Sequence, residues 1–151
     1  MRKYLLVALI CLPALAKAYH ATRQEMIERA PFIAVVEIQT PQACSFKGQH
    51  WTYSQQARAQ LVQKVKGDLP EWIQLYAQED FECAQVALTT GRCLVFLERE
   101  GSAFRGSNWG LSCLPIDEAQ RVAWMSRPDT RQSDCKRPLR QVLAELGKQP
   151  D

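Results

Sequence analysis

The first eighteen residues decide how much of this chain is left to fold and where it folds. Met1, Arg2 and Lys3 form a short basic start, and residues 4–15 form an apolar run. Pro13 interrupts that run near its end, and Ala16-Lys17-Ala18 has the small-x-small form of a leader-peptidase site. An apolar run of roughly 7 to 15 residues between these flanks is an export signal. A membrane span needs about 20 apolar residues, and Lys17 ends the run well before that. The expected division is a signal peptide over 1–18 and a single domain over 19–151, periplasmic or secreted.

Removing the leader changes the charge. The 151-residue chain carries 19 basic and 16 acidic residues, a formal charge of +3. Arg2, Lys3 and Lys17 leave with the signal, so the remaining domain is neutral. Nucleic-acid binding draws on a basic surface that displaces phosphate counterions, and no such excess remains. Residues 121–148 are locally basic, either as a solvated face or as a patch for an anionic partner. The expected partner is another exported or envelope protein, without nucleic acid and without a membrane span.

Five of the six cysteines follow the leader: Cys44, Cys83, Cys93, Cys113 and Cys135. An oxidising compartment favours bridges between them, and five leave at least one unpaired within the chain. No C-x-x-C occurs and the two histidines, His20 and His50, lie far apart, so a close-spaced zinc site is not expected. No cofactor is called for.

Thr22-Arg23-Gln24-Glu25 is a capping box, which predicts a helix over about 23–29 stopped by Pro31. Residues 32–38 read as a buried strand and residues 39–50 as a loop with Pro41 and Gly48 as breakers. Alternation over 57–66 and again over 71–77 predicts two further strands. Residues 93–97 give the strongest strand signal, with a short return over 103–105 and a last strand near 122–125. Pro138 and Gly147 bracket an amphipathic helix from about 138 to 146. Strands do not alternate regularly with helices, so the fold class is mainly β, a small antiparallel barrel or sandwich with a helix near each end.

Three features carry a family resemblance. A helix leads into a first strand over 32–38. Val65-Lys66-Gly67 precedes a hydrophobic strand. Cys83 is followed by Gly91-Arg92-Cys93-Leu94-Val95-Phe96-Leu97, then Gly101 and Cys113. Together they resemble the OB-fold module shared by tissue inhibitors of metalloproteinases, netrins and small exported bacterial proteins. The resemblance implies an OB-like barrel. It does not extend to protease inhibition, because the inhibitors begin with a zinc-chelating cysteine and this mature chain would begin Tyr19-His20.

Sites are sparse. No nucleophile elbow is present, and neither histidine adjoins an obvious nucleophile. Glu79, Asp80 and Glu82 form the densest acidic cluster, read as a solvated loop. His20, as second residue of a mature chain, offers part of a Cu(II) set that any such chain would offer. Trp72 and Trp124 fall in predicted strands and are expected in the core. Trp51 and Trp109, with Tyr53 and Arg105, are the candidate contact surface, since OB-like domains bind through aromatic platforms. The expectation is a non-catalytic binding or structural module that engages protein; a small periplasmic hydrolase or a metal-binding protein is the alternative. The expected bridges are Cys83–Cys113, which bracket a hairpin, and Cys44–Cys135, which would tie down the last helix, with Cys93 as the free thiol.

Overall fold

The computed structural model describes residues 21–81, 85–125 and 135–148. The expected leader, His20, Glu82 and Cys83 lie outside these residues. Helix α1 (Arg23–Arg29) starts at the capping box: Thr22 Oγ1 accepts from Glu25 N at 3.1 Å, and Glu25 Oε2 accepts from Thr22 N at 2.7 Å. Seven strands follow: β1 (Phe32–Ile38), β2 (Gln42–Lys47), β3 (Thr52–Lys66), β4 (Trp72–Glu79), β5 (Gly91–Glu100), β6 (Ala103–Gly106) and β7 (Cys113–Pro115). A two-stranded ribbon of β8 (Arg121–Trp124) and β9 (Cys135–Pro138) leads into α2 (Leu139–Leu146).

The sheet order is β1-β3-β4-β6-β5-β7, with β2 on the long strand β3 and a further ladder between β1 and β5. Flanked by β3 and β5, β1 is covered on both edges. Its continuous apolar run from Ile33 to Val36 is buried at every position. Strand β5 is two-faced in the same way. Cys93, Val95 and Leu97 join Ala34, Val36, Ile38, Leu75 and Phe104 in one cluster. Leu94 and Phe96 join Ile33, Val35, Met26, Trp124 and Val142 in the other, under the two helices and the ribbon. Residues 94–97 thus alternate between the two clusters, and both faces of the strand are buried.

This topology corrects the expected antiparallel OB-like barrel. The sheet is mixed, because β4 and β6 run parallel. That contact is two residue pairs long, Leu75 opposite Phe104 and Tyr76 opposite Arg105, against seven pairs between β1 and β5. So short a seam does not complete a barrel wall, and the apolar packing lies on both faces of β1 and β5 instead of inside one enclosure. The resemblance to the inhibitor and netrin module falls with the barrel.

Residues 39–50 are not all loop. Strand β2 lies within them on the outer edge of β3; four of its six residues are exposed, and the apolar Ala43, Cys44 and Phe46 give no regular alternation to read. Pro41 and Gly48 stand at its ends and not inside it.

No disulfide forms among the described cysteines. The expected Cys44–Cys135 bridge is absent: Cys44, on β2 in the main sheet, is an unbridged thiol, and Cys135 opens β9 in the ribbon. The C-terminal helix is tied down otherwise: Arg23 Nη1 bonds Glu145 Oε2 at 2.8 Å, and Val142 and Leu146 are buried. The Cys83–Cys113 expectation lies half outside the described residues. Its other half, Cys113, is an unbridged thiol opposite Val95 and on the same face as Cys93. Cys113 lies against Cys93, and that contact together with burial pushes its thiol above its usual range. Cys93 is unbridged as expected, but so are Cys44 and Cys113.

One glycine is required by its surroundings. Gly67 turns the chain after β3 at φ +73°, and a Cβ there would lie 2.5 Å from the Pro31 carbonyl oxygen. Only a residue without a Cβ accommodates both.

Candidate functional site

The start of β3, the end of β4 and the turn after β6 gather at one end of the sheet, and the aromatic residues there meet. Gly48 N donates to the Trp51 carbonyl at 2.8 Å, closing the turn that delivers Trp51. Thr52 N donates to Asp80 Oδ1 at 3.0 Å and Asp80 N to the Thr52 carbonyl at 2.9 Å, which pins the chain just before Phe81. Buried Asn108 donates through Nδ2 to the Met26 carbonyl at 3.0 Å and anchors the turn that carries Trp109. The rings of Trp51 and Trp109 meet edge to face at 5.2 Å, and Phe81 lies 5.6 Å from one and 5.1 Å from the other. Phe81 is 37% exposed. Trp109 takes φ +49°, a left-handed backbone that bulky residues rarely adopt, so this end holds local strain.

Beneath the aromatic cluster lies a buried polar network. Tyr53 Oη donates to Glu100 Oε2 at 2.6 Å, and Gln49 N donates to Glu100 Oε1 at 2.7 Å. The Arg105 guanidinium lies 3.7 Å from the same Glu100 carboxylate and also pairs with Glu98. Tyr53 is fully buried and Glu100 is nearly so. Burial first, and then the hydrogen bond to Glu100, push the Tyr53 phenol well above its ordinary range. A Cβ on Gly48 would come within 2.7 Å of the Tyr53 ring and 2.8 Å of the Glu100 carboxyl carbon, so the absence of a side chain at 48 lets the loop close over the network.

Glu79 pairs across β3–β4 with Tyr53 and is fully buried. Its Oε2 accepts from Val86 N at 3.4 Å, and its Oε1 has no partner. Burial raises its carboxyl above the usual range, against smaller lowering contributions from backbone donors and Arg105. The folded state therefore holds this proton more tightly than the unfolded state. The contribution of Glu79 to stability is greatest below the ordinary carboxylate range, about pH 4.3, and falls as pH rises toward the raised folded value. Glu79→Gln keeps an oxygen acceptor and carries no charge. The variant is expected to match the wild type near the acid end and to overtake it in chemical-denaturation stability as pH rises to neutrality. A constant difference between the two proteins across that range would contradict this account.

The four residues expected to form a contact surface thus divide. Trp51 and Trp109 come together with Phe81 at the surface; Tyr53 and Arg105 lie below as the support. Phe81 gave no signal in a short polar stretch. Glu79, expected in a solvated cluster, continues the inward parity of Ile73, Leu75 and Ala77, and that parity is the signal that places it. The same parity turns Trp72 outward, 38% exposed, which corrects its expected core position; Trp124 is fully buried as expected. Among the described residues no group of three or more His, Cys, Asp or Glu side chains is placed to hold a metal ion. His50 is exposed.

In the locally basic C-terminal stretch, Lys136 pairs with Asp117 at 3.0 Å and Arg121 donates to the Lys136 carbonyl at 2.6 Å. Arg140 instead lines an open pocket of about 500 Å³ with Gln63, Gln120 and Leu143. Among the described residues no helix is long and apolar enough to cross a membrane.

The fold and site together define a mixed-sheet domain with helices on one face and an aromatic cluster seated on a buried ion network at one end. No family model, curated protein or solved structure matches the chain.

Proposed function

We propose that this chain is an exported, non-catalytic binding module that grips another exported or envelope protein through the Trp51–Phe81–Trp109 cluster. The observation that carries the reading is the three-ring cluster itself, partly exposed, with the turn that bears Trp51 bonded through Gln49 N to the buried Tyr53–Glu100 pair. Rigid aromatic anchors lose little conformational entropy on binding and supply large contact area, which is why such residues dominate protein interfaces. The buried network beneath holds the anchors in place before a partner arrives, so less ordering is left to binding.

The reading is tested in cells with a photo-crosslinking amino acid at position 81, and at exposed Val62 as control. A discrete protein adduct from position 81 that is absent from position 62, and that weakens with Trp109→Ala, is the expected result. Equal adducts from both positions, or none from position 81, would overturn it.

A further inference from the structure

A second surface, away from the aromatic end, has different chemistry. On the outward face of β2, β3 and β4, Gln42 stands opposite Gln56, Gln56 opposite Tyr76, and Arg58 opposite Gln74. These glutamines and Arg58, with Gln39 and Thr40 from the β1–β2 connection, line a pocket of about 210 Å³ floored by Ala57. No acid lines it. The Gln74 amide reaches Gln56 Oε1 only at 3.4 Å and the Leu75 carbonyl at 3.5 Å, so the amides are weakly engaged with one another.

Arg58 lies with its guanidinium carbon 4.7 Å from the centroid of the exposed Trp72 ring. Among the described residues it has no carboxylate partner. The acids nearest along these strands are engaged elsewhere: Glu71 accepts from Gln60, and Glu37 pairs with Arg92. A guanidinium stacked on an indole is held flat, with its in-plane donors left for an anion.

We infer that this pocket binds a carboxylate-bearing sugar, a hexuronate unit of an acidic saccharide. Each glutamine amide presents one acceptor and two donors. That mixed array matches vicinal hydroxyls, which also donate and accept, better than it matches a bare anion or an apolar group. Arg58 supplies the bidentate partner for the single carboxylate. The volume suits one ring, with the rest of a chain running across the open sheet face. This inference is independent of the protein-binding cluster, because the two surfaces share no residue.

The test titrates the full chain with a galacturonate tetramer and, separately, with the neutral glucose tetramer, following Trp72 emission and the amide resonances of Gln56 and Gln74. Saturable changes at Trp72, Gln56 and Gln74 with the uronate are expected, weakening as salt is raised. Arg58→Gln is expected to reduce uronate affinity by about tenfold, the scale of one lost charge-assisted pair, while Trp51→Ala leaves it unchanged. Arg58 is exposed, so its replacement leaves the fold intact, as an unchanged unfolding midpoint will confirm. Equal binding of both tetramers, an equal loss with Trp51→Ala, or no saturable change at Gln56 and Gln74 would overturn the inference.

Discussion

Phe96→Ala is expected to destabilise the protein by about 3 to 5 kcal/mol, measured by chemical denaturation at neutral pH. The ring is fully buried at the centre of β5 and stacks on Trp124 at 5.6 Å with only 8° between planes. It belongs to the cluster that joins the sheet to α1, the β8–β9 ribbon and α2. Truncation therefore leaves a cavity where several elements meet, and none of them can collapse into it without losing another contact. The same change should also quench or shift the emission of Trp124. A loss below about 1 kcal/mol would mean that the helical layer repacks freely, against the close fit seen here.

Arg105→Met is expected to cost about as much, roughly 3 to 5 kcal/mol, by stripping a buried carboxylate of its counter-ion. Glu100 is 4% exposed, and Arg105 is the cation that reaches it. Methionine retains the apolar stem, so the loss reports charge and hydrogen bonding more than volume. Adding Glu100→Gln to this variant should recover part of the loss, because the stranded charge is then gone. A double variant as unstable as the sum of the two single changes would show that the pair is not coupled. The two replacements should also loosen Trp51, whose turn is held to Glu100 through Gln49 N, and so lower the yield of the position-81 crosslink.

How far the sequence foretold these features depends on whether the signal was local. The capping box and Pro31 bound α1 without reference to anything distant, and the apolar runs of β1 and β5 mark strands buried on both faces. Strand β2 carries no such mark: it pairs with the first part of β3, and its one large apolar side chain, Phe46, finds its partners Tyr53 and Tyr76 only in the folded sheet. The parallel β4–β6 contact was equally hidden, because nothing in Leu75 or Phe104 states which strand lies alongside. At the site, Trp51 and Trp109 were visible as aromatics in turns, whereas Phe81 joined them only through the Thr52–Asp80 clasp. Glu79 shows the opposite failure: its inward parity was legible, but the two neighbouring acids, Asp80 and Glu82, suggested solvent.

The ladder between β1 and β5 has a kinetic consequence. It joins Phe32 to Leu97, 65 residues apart in sequence, whereas β3 and β4 are joined by residues 67–71. The β3–β4 pairing therefore carries a much smaller closure cost than the β1–β5 ladder, and β1 docks on β3 with its other edge still bare. Until residues 91–100 arrive, Ile33, Ala34, Val35 and Val36 line an open, apolar strand edge. A second copy caught at the same stage presents an identical edge. Refolding yield should thus fall with protein concentration, and early association between chains is expected to begin at this strand and not at the aromatic end.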